Sequence, residues 1–273
     1  MRCAVQEVRR TRPMAGSVTN AVTMNFVANA QLAVGGSAAI VYLPEEAAFL
    51  AKAGGAAYIN VGTLLPIHEE TLPFAAKTLH ALDKPWVLDP VAVGIGTLRT
   101  QVLRQMQASK PSVIRANASE MIALAGLWGL ADTAGASGVR GVDTTDTVAS
   151  AQAAAAALAR WTGGAAAVSG ETDFITDGSV AAFSHGGSHF MEKITGAGCS
   201  LGGVTAVYLT AAPPFIAALT ASSVYNLAGK RAEEKADGPG SFQTLFLDEL
   251  YKATAQEIAD NPFEIIDVKE IKI

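Results

Sequence analysis

The sequence predicts an α/β protein with a mostly parallel central sheet covered on both faces. Two observations carry that reading. Apolar runs of four to six residues alternate with longer helical patterns along nearly the whole chain, the rhythm of βαβ units with right-handed crossovers. Those runs also lack polar alternation, as strands buried on both faces do. No linker, internal repeat or low-complexity tail interrupts the pattern, so residues 1–273 read as one domain.

Taken in order, Ala38 to Tyr42 reads as a strand, and Pro44-Glu45-Glu46 opens a helix that Gly54-Gly55 stops near Ala53. Ala56 to Asn60 is the next strand, followed by a helix around Pro73 to Leu82. Trp86 to Asp89 is a strand ending in a carboxylate, and Val113 to Ala116 is another. Asn117-Ala118-Ser119-Glu120 then starts a helix with capping-box spacing. An alanine-rich helix from about Thr144 to Trp161 leads to a strand at Ala165 to Ser169. Asp173 to Phe183 reads as short strands turning at Asp177-Gly178. The C-terminal third returns to helices: the apolar run Leu201 to Leu209, then Ala211 to Lys235, with a break at Asp237-Gly238-Pro239-Gly240.

Composition excludes several function classes. Half of the 273 residues are hydrophobic, enough for a sizeable core, and the net charge of −5 argues against nucleic acid. No stretch has the roughly 18 unbroken apolar residues of a membrane helix. The N-terminus has Arg9, Arg10 and Arg12 but no apolar signal core. Cys3 and Cys199 define no disulfide framework or zinc spacing, which points to the reduced cytoplasm. The four histidines show no metal spacing and read as surface or loop residues.

In open α/β sheets ligands gather beyond the carboxyl ends of the strands. There the chain places Asn60-Val61-Gly62-Thr63, Asp89-Pro90-Val91, Arg115-Ala116-Asn117 with Glu120, and Ser169-Gly170-Glu171. The most informative stretch is Lys193-Ile194-Thr195-Gly196-Ala197-Gly198-Cys199-Ser200, a glycine-rich strand–helix junction. Free backbone N–H groups and the positive end of a helix make an anion site, and Cys199 sits where a helix start lowers a thiol pKa. The chain contains no Walker motif, and Gly94-Ile95-Gly96 lacks the third glycine of a dinucleotide fingerprint. Asp89 reads either as a Mg²⁺ ligand or as a turn residue. The spacing favours Glu120 as a helix cap over a metal ligand. Arg115 is too costly to bury unpaired and should meet an anion or a carboxylate. Thr19 or Asn20 reads as the cap of a helix that puts Asn25 and Asn29 on one face; those amides either satisfy backbone or line a polar site.

Read together, these segments resemble the hydroxyethylthiazole kinases of thiamine salvage, in the ribokinase-like superfamily. The matching stretches are Ser17 to Asn20 with Asn25 to Asn29, Asn60 to Leu64, Leu88 to Val91, Ile114 to Glu120, Ser169 to Asp173, Ile194 to Cys199, and Gly238 to Phe242. The resemblance implies a ribokinase-like three-layer α/β/α fold and transfer of the ATP γ-phosphate to the primary alcohol of 4-methyl-5-(2-hydroxyethyl)thiazole. It further implies a homotrimer with the thiazole at the subunit boundary. By motif, Arg115, Ser169 and Asn117 would contact ATP, and Ile40, Gly196 and Asn25 the substrate. Asp89 and Glu120 would organise Mg²⁺. Cys199 would take the alcohol proton, with the N–H groups of Ala197 and Gly198 beside it holding phosphoryl charge. The chain departs from the family pattern at Gly16, usually histidine, at Ile40, usually methionine, and at His185-Gly186-Gly187. Alternative readings are a related kinase for another heterocyclic alcohol, such as hydroxymethylpyrimidine, and a non-catalytic trimer that senses nucleotide or thiazole.

Overall fold

A computed structural model describes residues 1–130 and 146–270. Helix α1 (Arg2–Thr11) leads into β1 (Met14–Val18), then α2 (Met24–Ala33), β2 (Ser37–Ile40), α3 (Pro44–Ala53) and β3 (Ala56–Asn60). Next come α4 (His68–Ala81), β4 (Trp86–Asp89), α5 (Thr97–Met106), β5 (Val113–Asn117), α6 (Ala118–Leu127), α7 (Val148–Thr162) and β6 (Ala165–Ser169). The hairpin β7 (Asp173–Thr176) and β8 (Val180–Ser184) follows, then α8 (Ala197–Leu209), α9 (Pro214–Glu233), α10 (Pro239–Lys252), α11 (Ala255–Asp260) and β9 (Phe263–Asp267).

The nine strands of the described residues form one sheet in the order β2-β1-β3-β4-β5-β6-β7-β8-β9. The strands from β2 to β6 pair in parallel, and β7, β8 and β9 add antiparallel ladders. Two apolar cores lie on its two faces. One packs α1, α2 and α8 to α11 against Ala15, Tyr58, Val87, Val113 and Ala165. The other packs α3 to α7 against Ile59, Leu88, Ile114 and Ala166. The neighbours along each strand therefore face opposite cores, which is why those runs are apolar throughout.

Several elements differ from the sequence expectation. Strand β1 lies inside the sheet between β2 and β3, although Gly16 and Ser17 hide its apolar signal. The arginine-bearing N-terminus folds as α1, burying Ala4, Val5 and Val8 against α8 and α9. The C-terminal third also contains β9, an edge strand whose residues are half-buried or exposed. Strand β2 stops at Ile40. Helix α4 begins at His68 and carries Pro73 in its second turn, where the carbonyl four residues earlier, of Glu69, loses a backbone donor. The expected start of the alanine-rich helix at Thr144 lies outside the described residues; the helix runs from Val148, capped by Thr147. The next expected helix is trimmed to Pro214–Glu233. His68 is buried, accepting the Leu65 N–H on Nδ1, and is thus no surface residue.

Close approach at Gly164 joins the turn before β6 to the turn before β5. A Cβ there would sit 2.1 Å from the Ser112 carbonyl oxygen, which already accepts the Ala165 N–H at 2.9 Å. Gly240 in the first turn of α10 has open space. Gly164→Ala is expected to cost about 3 kcal/mol in denaturant unfolding, because the obstacle is backbone, and Gly240→Ala to stay within about 1 kcal/mol of the parent.

Candidate active site

The strand register builds the site. On the face that meets α8, the residues of β3, β4, β5 and β6 begin apolar and turn polar toward the carboxyl end. Tyr58 and Asn60 end β3, Asp89 ends β4, Arg115 lies near the end of β5, and Ser169 ends β6. Asn60 pairs with Asp89 across the β3–β4 ladder, and side chains two apart share a face. The polar ends therefore collect beneath the start of α8.

That start is made by Gly196, the N-cap residue, at φ 93°. A Cβ there would also crowd Thr23 at 3.0 Å. The first intrahelical bond runs from the Ser200 N–H to the Gly196 carbonyl, so the N–H groups of Ala197, Gly198 and Cys199 precede the helix ladder. The element before the turn is a short 3₁₀ turn, His189–Lys193, rather than the expected strand. Gly198 has a steric reason: a Cβ would lie 2.6 Å from Arg115 Nη1 and 2.7 Å from Nη2. The guanidinium rests on the helix start only because residue 198 has no side chain.

Asp89 is the centre of the cluster and has no exposed surface. Its Oδ2 accepts from the Tyr58 hydroxyl at 2.7 Å and from Asn60 Nδ2 at 3.1 Å, and lies 3.6 Å from Arg115 Nη1. Its Oδ1 is buried and has no partner among the described residues. Asn60 Nδ2 also reaches the Tyr58 oxygen at 2.8 Å and the Cys199 sulfur at 3.3 Å, while its Oδ1 accepts from Asn20 Nδ2 and the Gly62 N–H. Arg115 donates from Nη2 to the Ser169 hydroxyl. So Arg115 meets the carboxylate that its burial required. Burial pushes the Asp89 carboxyl up, against the pull of Arg115, Tyr58 and Asn60. Burial would lower Arg115, but Asp89 and Glu120 outweigh it and hold the guanidinium charged.

Glu120 works as a cap, as its spacing suggested. It closes a capping box with Asn117 at the start of α6, where Oε2 accepts the Asn117 N–H at 3.1 Å. Its Oε1 accepts the Ala92 N–H at 2.9 Å. Ala92 holds φ 58°, a costly conformation for a residue with a Cβ. Glu120 therefore ties the strained turn after Asp89 to the end of β5. Burial, and then Asp89, raise its carboxyl.

The thiol differs from expectation. A helix start alone would lower it, but burial, reinforced by Asp89, pushes Cys199 up to about 11. The cause is desolvation without a cation of its own; Arg115 pulls downward but is already matched to Asp89.

The remaining expected residues separate from this centre. Asn25 is exposed on α2 and accepts from Asn29 Nδ2 at 3.0 Å, the i, i+4 pair predicted. Ile40 is half-buried at the end of β2, the outermost strand. Residue 23, not 19 or 20, precedes α2 as its N-cap, while Asn20 Oδ1 accepts the Val22 N–H. Gly16 faces the opposite side of the sheet, where a Cβ would strike Leu50 at 2.9 Å. Sequence reasoning missed Tyr58, which reads as one more apolar strand residue. Two open surface hollows, beside Gly94 to Arg104 and beside Arg160 and Lys269, lie away from this cluster.

The hydroxyethylthiazole kinase family matches residues 5–256. The chain belongs to that family. It is 52% identical to a hydroxyethylthiazole kinase of Bifidobacterium longum, over 94% of this chain and 88% of the relative. It is 42% identical to one of Leptospira interrogans, with 90% of each covered. The solved hydroxyethylthiazole kinase of Pyrococcus horikoshii superposes with a TM-score of 0.85 at 28% identity, covering 97% of both chains. A Staphylococcus aureus pyridoxal kinase shares the fold at TM-score 0.58 and 15% identity, covering 93% of this chain and 99% of that one. The family is one of kinases, and the architecture is the ribokinase-like three-layer α/β/α fold.

The Asp89–Arg115 pair predicts a stability pattern. Arg115→Met, which strands a buried carboxylate, is expected to cost about 3–5 kcal/mol in denaturant unfolding. Adding Asp89→Asn should recover most of that loss, since a neutral amide needs no cation.

Proposed function

We propose that this chain transfers the γ-phosphate of ATP to the primary alcohol of 4-methyl-5-(2-hydroxyethyl)thiazole. The observation that carries the reading is Cys199 at the start of α8, its sulfur 3.3 Å from the Asn60 amide nitrogen that also reaches the buried Asp89. A reactive side chain, an anion-binding helix start and a guanidinium then share one point. Phosphoryl transfer needs little beyond positioning and charge stabilisation, and this cluster supplies both.

Arg115 and Ser169 take the phosphates of ATP, with Asn117 at the adjoining helix start. The N–H groups of Ala197 and Gly198 face the charge that develops on the transferred group. Gly196 and Cys199 meet the alcohol. As the alcohol oxygen bonds to the γ-phosphorus, the bond to the ADP oxygen breaks and ADP leaves with the electron pair. The alcohol proton passes to the Cys199 thiolate. Mg²⁺ fits the donors present: Asp89 Oδ1 is an unpartnered oxygen, and Glu120 keeps lone pairs beyond its two backbone contacts. Bound there, the ion would neutralise phosphate charge.

Asn25 and Ile40 complete the thiazole pocket by association of three copies along the β2 edge. Exposed Val22 and Leu32 on the α2 segment beside that strand support the contact. Light scattering is expected to give the mass of three chains; a monomer at assay concentration would remove this pocket. Among the described residues no helix is long and apolar enough to cross a membrane, in keeping with a cytoplasmic enzyme.

Incubated with ATP, Mg²⁺ and the thiazole, the protein is expected to yield ADP and thiazole monophosphate by mass spectrometry. Turnover of hydroxymethylpyrimidine alone would reassign the acceptor, and binding without turnover would favour a sensor. A thiol with a pKa of about 11 is thiolate in roughly one molecule in 10⁴ at pH 7. Since the deprotonated form accepts the proton, kcat should climb about tenfold per pH unit between pH 7 and 9 while chemistry limits. Cys199→Ala should lower kcat by about 10²-fold with ATP binding kept, and Cys199→Asp should flatten the pH profile. An unchanged kcat in Cys199→Ala would remove the proton-acceptor role.

A further inference from the structure

We propose that Tyr58 is a positioning residue for this centre: its hydroxyl, with the Asn60 amide, commits Asp89 Oδ2 to the protein and leaves Oδ1 alone for the reacting groups. The inference rests on the kinase reading above and concerns a residue with no direct place in the chemistry.

A tyrosine is costly at this position. Tyr58 is wholly buried in a strand whose other apolar residues carry no polar atom. A phenylalanine would fill the same volume with no hydroxyl to satisfy. Helix α8 gives up a side chain to admit the ring: a Cβ at Gly202 would lie 2.4 Å from Tyr58 Cε2 and 3.0 Å from its oxygen. Two features on separate elements thus hold the hydroxyl against Asp89.

The direction of the bonds fixes what the hydroxyl does. Asn60 Nδ2 donates to the Tyr58 oxygen at 2.8 Å, so the Tyr58 proton is free to donate to Asp89 Oδ2 at 2.7 Å, the shortest contact that oxygen makes. With Asn60 and Arg115 also on Oδ2, the carboxylate has one saturated oxygen and one bare one. Without the hydroxyl the two oxygens become closer to equivalent, and rotation about the Cβ–Cγ bond can present either. Preorganised geometry is what such a site requires, since small misplacements cost rate rather than binding.

The test uses Tyr58→Phe, which keeps the ring against Gly202. Relative to wild type, kcat is expected to fall about tenfold with the KM values for ATP and thiazole within about twofold. In an Asp89→Asn background the same change should cost less than about twofold, because a residue acting through Asp89 has nothing left to position. Calorimetry with a non-hydrolysable ATP analogue, with and without Mg²⁺, gives a readout free of turnover. The affinity gained from Mg²⁺ should shrink in Tyr58→Phe, and the double variant should match Asp89→Asn alone. Equal losses in both backgrounds, or wild-type kcat and Mg²⁺ response in Tyr58→Phe, would overturn the proposal and leave Tyr58 a packing residue. Wild-type turnover is measured alongside: an inactive wild type removes the kinase reading, whereas an active one with the overturning pattern removes only the role of Tyr58.

Discussion

A carboxylate taken wholly out of water at the end of β4 sets the terms for the rest of the site. Asp89 would be expensive to bury alone, so its neighbours are chosen by its needs. Arg115 supplies charge, while Tyr58 and Asn60 supply directed hydrogen bonds. Each partner makes a further demand. The Arg115 guanidinium excludes any side chain at residue 198, and the Tyr58 ring excludes one at residue 202. Two of the glycines in α8 follow from one buried charge on a neighbouring strand.

The same constraint links fold to chemistry. A parallel sheet brings every strand to an end at one edge, and the α8 face of that edge is where polar residues replace apolar ones. Glu120 reaches from α6 to hold the strained turn after Asp89, so the loop beside the buried carboxylate is braced by a helix start. The thiol is handled differently: it has hydrogen-bond donors but no cation to itself, and it stays protonated until the pH or the ligands change its surroundings.

Much of this was legible in the sequence. The strands at Ala56–Asn60, Trp86–Asp89 and Ala165–Ser169 are continuous apolar runs, and their limits agree with the structure. The capping box at Asn117 and the helix start at Gly196 have local causes and were readable for that reason. What escaped was set by contacts between distant segments. Strand β1 is specified by its two neighbours rather than by its own glycine and serine, and β9 by pairing with β8. The raised Cys199 pKa follows from burial of the first turn of α8 against the sheet and from Asp89, which no helix-start argument contains. Tyr58 looked apolar because its hydroxyl acquires meaning only once β4 lies next to β3.

The family departures separate by face. Gly16 points toward Leu50, away from the Asp89 cluster, and Ile40 sits on an edge strand. The position of the transferred group decides whether the start of α8 is the reacting centre. A crystal structure with ADP, Mg²⁺, the thiazole alcohol and an aluminium fluoride mimic of the γ-phosphoryl group tests it most directly. The mimic should sit within hydrogen-bond distance of the Ala197, Gly198 and Cys199 N–H groups, with the alcohol oxygen beside Cys199 Sγ. A mimic bound away from the start of α8, or an alcohol oxygen out of reach of Cys199, would contradict the account.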